Sequence, residues 1–372
     1  MHAHGRLTHD ASRNGSKCID AAQPDIDLNP GFQYQGGMQT TTPRPNSDKP
    51  ESVFSMNRRE WMRRSGLITG AVAATSIFNQ EAAAAAASDA FTLDLTVWKL
   101  GIHGNQNEAI SWARQFGFQS VGAHTEEIQK WNDADHESYA KQLMEADLKW
   151  GTASMPVEFR KDESRFQDDI RSLPSVAKSL KKAGVASAIT HIMPNHSTLT
   201  YKENFKQHSM RLKQISKILA DHGLRFGMEY VGTESLRNRR KFPFIHTLRE
   251  GLELIESIGL DSVGLVMDCW HWHNAQDNLE DLKLLKPKHV VSIELNDAQP
   301  GIKRPFLQDN RRELPCSTGV IDTAGFLNGL AQQGIRGPVM AEPFNQHFRD
   351  MPRSQGIGFI AQSLRKALSM VQ

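Results

Sequence analysis

The stretch FIHTLREGLELIESIGLDSVGLVMD, residues 244–268, carries the reading that decides the fold. Over 244–258 the apolar residues recur at helical spacing. Gly259 follows as a helix stop, the residue that takes left-handed backbone without a Cβ penalty. A short β-rich run over 264–269 comes next, and it carries a carboxylate, Asp268, at its far end. The same junction recurs along the chain, at Phe116-Gly117-Phe118, Ala183-Gly184-Val185, His222-Gly223-Leu224 and Gln333-Gly334-Ile335.

Working outward gives eight candidate strands, at 93–98, 120–124, 149–155, 186–193, 225–231, 264–269, 289–295 and 338–343. Amphipathic segments lie between them at 107–116, 173–183, 202–220, 244–258 and 324–333. Strands alternating with helices imply parallel β/α units. Eight such units predict a single-domain (β/α)8 TIM barrel over 88–372, close to the roughly 250 residues typical of that fold. An open doubly wound sheet is the competitor, but no Gly-x-Gly-x-x-Gly or phosphate-loop sequence follows a strand.

The residues before the barrel read as addressing. Residues 1–55 are polar, without hydrophobic periodicity, and are expected to be disordered or an extension ahead of a start at Met56. Arg58-Arg59, the apolar run over 67–78 and the six alanines at 82–87 resemble a twin-arginine (Tat) signal peptide over 56–87. The apolar run is short of the roughly 20 residues a membrane span needs, so no stable span is expected. The expectation is a periplasmic or otherwise exported protein that meets the Tat machinery in transit.

Composition narrows the partners. Lys plus Arg number 44 against 42 for Asp plus Glu, a net charge of +2, which leaves no basic field for nucleic acid. Three cysteines, Cys18, Cys269 and Cys316, are too few and too scattered for a disulfide framework or a thiolate zinc site. Cys269 and Cys316 read as reduced and incidental. A small-molecule enzyme suits this balance.

In such a barrel the catalytic groups sit at the C-terminal ends of the strands. Strands five to eight each deliver one carboxylate from an apolar run: Glu229, Asp268, Glu294 and Glu342. A buried carboxylate is costly unless it is paired or binds a metal. Four together point to a hard divalent cation held by oxygen ligands.

Over roughly 91–372, and best from Glu229 onward, the chain resembles the xylose isomerase-like barrels, a family of sugar epimerases, inosose dehydratases, hydroxypyruvate isomerase and endonuclease IV. The resemblance implies a metal site of Glu229, Asp268, position 294 and Glu342. It also implies substrate contacts from His271, three past the aspartate, and from Arg312, ahead of Gly319-Val320-Ile321-Asp322. Trp270 is a further candidate, because aromatic rings at strand ends stack on sugar faces. Position 294 departs from the family: it is Glu where His is usual. Losing an imidazole tilts the ion toward Mn²⁺ or Mg²⁺, with Co²⁺ or Zn²⁺ also accommodated. Four carboxylates against one divalent ion then require a protonated carboxyl, a cationic substrate group or Arg312 as compensation.

The expected activity is an exported, metal-dependent sugar isomerase or epimerase working through an enediolate, with Glu229 and Glu342 as the acid/base pair. The same groups could run β-elimination on a keto-sugar or inosose, a dehydratase or lyase. A non-catalytic sugar-binding barrel is the remaining reading. An endonuclease would need extra histidine ligands, and strand three carries none.

Overall fold

The computed structural model describes residues 90–371, so the expectations for 1–55 and 56–87 lie outside the described residues. Eight parallel strands close a barrel: β1 Phe91–Leu95, β2 Ser120–Ala123, β3 Lys149–Ser154, β4 Ser187–Ile192, β5 Arg225–Tyr230, β6 Val263–Asp268, β7 Val290–Leu295 and β8 Gly337–Ala341. Each strand pairs with its neighbours in sequence, and β8 closes on β1 through Leu93 opposite Val339. Both faces are covered, which is why β6 reads Val-Gly-Leu-Val-Met-Asp with every residue buried. The expected strands are all found, with their ends displaced by no more than three residues.

Helices cover the outside. The principal ones are α1 Gln106–Gln115, α2 Asp133–Glu145, α3 Glu163–Ala183, α4 Tyr201–Asp221, α5 Leu248–Ile258, α6 Thr323–Gln332 and α7 Arg353–Leu368. In α5, Leu248, Gly251, Leu254, Ile255 and Ile258 form the buried stripe. The helix begins later than periodicity alone suggests, because Thr247 and Glu250 form a reciprocal capping box. It ends where Gly259 takes φ +70° and its N–H bonds Ile255 O at 3.0 Å. Conversely, α3 begins ten residues before the expected 173, capped by Asp162, and carries Pro174 inside. A short helix, Cys269–Ala275, starts directly at the end of β6. It takes over residues that read from sequence as the strand end and a loop. Among the described residues no helix is long and apolar enough to cross a membrane.

Candidate metal centre at the barrel mouth

Four strands bring the carboxylates together. Glu229 lies near the end of β5, Asp268 ends β6, Glu294 lies in β7 and Glu342 follows β8 by one residue. Register places them on one side: Asp268 lies opposite Glu294, and Glu294 opposite Met340, two residues before Glu342. One oxygen from each of the four falls within 4.8 Å of the others, and all four residues are buried.

Two buried cations hold the cluster. The sequence singled out Arg312; its Nη1 donates to Asp268 Oδ2 at 2.9 Å and to Glu342 Oε2 at 2.7 Å. Its Nη2 and Nε anchor on the Asp309 carboxylate and carbonyl, each at 3.0 Å. Sequence reasoning missed the other cation. Lys99 Nζ lies 2.7 Å from Glu342, 3.0 Å from Glu294 and 3.7 Å from Glu229. Its sequence signal is only a lysine just past the first apolar run. The turn over 96–101 that carries it is fixed by backbone bonds such as Lys99 N to Thr96 O and Gly101 N to Trp98 O.

Ionisation differs sharply within the cluster. Burial pushes Glu229 well above the usual carboxylate range, Lys99 only partly opposing it. Burial likewise pushes Glu294 up to about 8 and Asp268 up to about 6, against Lys99 and Arg312 respectively. Glu342 is buried too, yet Lys99 and Arg312 together hold it below its ordinary value. His271 is kept neutral by burial and by Arg312. The Gly232 amide, which can only donate, meets His271 Nδ1 at 3.2 Å. Nε2 faces another group that can only donate, Arg312 Nη2 at 3.3 Å, and lies 3.7 Å from Glu229 Oε1 and 3.8 Å from Asp268 Oδ2.

These groups fit a hard divalent ion. Glu229 Oε1 is buried with no hydrogen-bond partner among the described residues, an acceptor left for a cation. A divalent ion among the four would favour their ionised forms, opposing the burial that otherwise raises Glu229 and Glu294. Asn296 Nδ2 and the Trp270 amide both donate to Asp268 Oδ1, at 2.9 and 2.8 Å, and so fix the carboxylate's orientation.

Trp270 is elsewhere. Its ring is fully buried under Arg312, 5.4 Å from the guanidinium, and its indole N–H bonds Thr233 and Asp309. The expected sugar-stacking role is corrected: the ring serves Arg312, because the helix starting at Cys269 turns it inward. Asp297, the other acid near the end of β7, accepts from the amides of Ala298, Thr318, Gly319 and Ile321 and stays outside the cluster. His191 lies opposite Glu229 in register and is gripped by Arg160, whose Nη1 meets Nε2 at 3.0 Å. The two described cysteines are free and buried.

Known proteins agree with this architecture. Inosose isomerase of Bacillus subtilis is 24% identical over 198 residues, 53% of this chain and 68% of its own length. The 3-dehydroshikimate dehydratase of Pseudomonas aeruginosa is 28% identical over 143 residues, 38% of this chain and 21% of its own. The crystal structure of the IOLI protein with a bound zinc atom superposes with a TM-score of 0.65 at 20% identity, covering 75% of this chain and 98% of that one. This chain is thus related to enzymes. A family model described as the xylose isomerase-like TIM barrel matches residues 110–367, and the chain belongs to that family.

Proposed function

We propose that the protein is a divalent-metal-dependent isomerase or epimerase of sugars or keto-sugars. The observation that carries this reading is the meeting of four buried carboxyl groups with oxygens within 4.8 Å of one another, and a Glu229 Oε1 that has no hydrogen-bond partner among the described residues. Glu229, Asp268, Glu294 and Glu342 would hold the ion, Mn²⁺ or Mg²⁺ before Co²⁺ or Zn²⁺ by the oxygen-only donor set. Bound there, such an ion would stabilise the negative charge that builds on substrate oxygens as a neighbouring C–H is broken. Glu342 and Glu229 would be the acid/base pair, one taking a proton from the substrate and the other supplying one on the opposite side. His271 would contact a substrate oxygen, and Arg312 fixes Asp268 and Glu342 in place.

A dehydratase acting on a keto-sugar or inosose uses the same proton abstraction and then expels a hydroxyl. The 28% identity to a 3-dehydroshikimate dehydratase favours keeping that reading. Incubating the Mn²⁺-loaded protein with ketoses, inososes and dehydroshikimate in D₂O separates the two. Deuterium at the carbon beside the carbonyl, with an isomeric product, supports the isomerase; loss of water supports the dehydratase. No exchange on any substrate speaks for a binding barrel. We also propose export, on the Tat-like sequence over 56–87, to be tested by cell fractionation.

A further inference from the structure

Lys99 occupies the place where a cation would bind. Its ammonium contacts three of the four carboxylates that the metal reading needs, and its side chain is 10% exposed. A buried ammonium this close to Glu294 and Glu342 cannot share their oxygens with a divalent ion without electrostatic penalty. Glu294 and Lys99 meet at 3.0 Å. Together they add no net charge.

We propose that Lys99 is an internal cation that competes with the divalent ion for Glu229, Glu294 and Glu342, with Glu294 as its paired anion. This rests on the metal reading above. In the metal-free protein the ammonium screens the carboxylates from one another. On metal entry it gives up at least one of them. Its backbone is fixed in the 96–101 turn, so the movement belongs to the side chain. The Trp98 ring, 5.7 Å from Nζ, offers the displaced ammonium a cation–π partner.

Titration calorimetry with MnCl₂ on the full chain tests this, using Lys99→Met, Glu294→Gln and the double variant. Competition requires Lys99→Met to bind Mn²⁺ at least ten-fold tighter than the parent and to melt lower when metal-free. It requires Glu294→Gln to bind at least ten-fold more weakly. The double variant restores the charge of the parent site, so its affinity returns to within a few-fold of the parent. It also covers the case in which Lys99→Met fails to fold: parent-like affinity there supports the proposal, and affinity as weak as Glu294→Gln overturns it. If Lys99→Met binds Mn²⁺ as the parent does or more weakly, the proposal falls while the metal reading stands. If the parent binds none but Lys99→Met does, the lysine is the dominant cation and the proposal holds. If neither binds, the metal reading and the competition fall together.

Discussion

Glu229 and Glu342 face one cluster from β5 and the end of β8, yet they ionise in opposite directions. Glu342 has Lys99 Nζ and Arg312 Nη1 each at 2.7 Å and is held ionised. Glu229 has its cation only at 3.7 Å, and burial keeps its proton on. Two carboxyls pushed apart in this way can serve as base and acid in one reaction. Glu229→Gln and Glu342→Gln should therefore each lower substrate C–H exchange by about a thousand-fold, measured by NMR in D₂O. Loss on one side only would mean that a single residue performs both transfers.

Arg312 is 1% exposed and joins Asp268, Glu342 and Asp309. Replacing it by Met leaves buried carboxylates without their partner. Arg312→Met should cost about 3–5 kcal/mol of stability, read by denaturant unfolding. Arg312→Lys, lacking the planar fork, should recover only part of that. A loss below about 1 kcal/mol, the scale of an exposed pair, would show that the guanidinium is not what holds the cluster.

Asp297 gives a control close to the site. Its carboxylate accepts four backbone amides, at 2.7 to 3.1 Å, three of which pin Thr318, Gly319 and Ile321. Asp297→Ala should cost about 3 kcal/mol by orphaning these donors, while Mn²⁺ affinity stays within a few-fold of the parent. Lost metal binding in a folded Asp297→Ala would move the ligand set further along the chain, past the end of β7.

The fold should weaken in acid, partly through His208. The ring is buried against Phe159 and Phe244, its Nδ1–H donates to Asn204 O, and burial pushes its pKa down to about 3. An unfolded histidine protonates near about 6.5. Between those values the unfolded state binds more protons, so stability is full above about 6.5 and falls as pH drops toward about 3. His208→Leu should flatten the decline in melting temperature between about pH 6.5 and 4.5. Equal slopes in parent and variant would assign the acid sensitivity elsewhere.

The barrel is legible in the sequence because its signals are local. Gly117, Gly184, Gly223, Gly259 and Gly334 mark junctions that need left-handed backbone, and all five take positive φ. The four acids are legible because a carboxylate ending an apolar strand must be paired or bind a cation to offset its burial. Lys99 is not. Its partners lie 130, 195 and 243 residues away in sequence, and only closure of β8 against β1 brings the turn after β1 beside Glu294 and Glu342. Trp270 escapes a sequence reading for a related reason: the helix that starts at Cys269 rotates its ring inward, and the strand pattern before it gives no sign of that turn.

One divalent ion at the four carboxylates is the central claim, and metal stoichiometry tests it most directly. The purified chain is equilibrated with Mn²⁺, dialysed and assayed by elemental analysis beside a folded Asp268→Asn variant. The expected result is close to one ion per parent chain and almost none in the variant. Equal retention by both proteins, or none by the parent even with Lys99 replaced by Met, would contradict it.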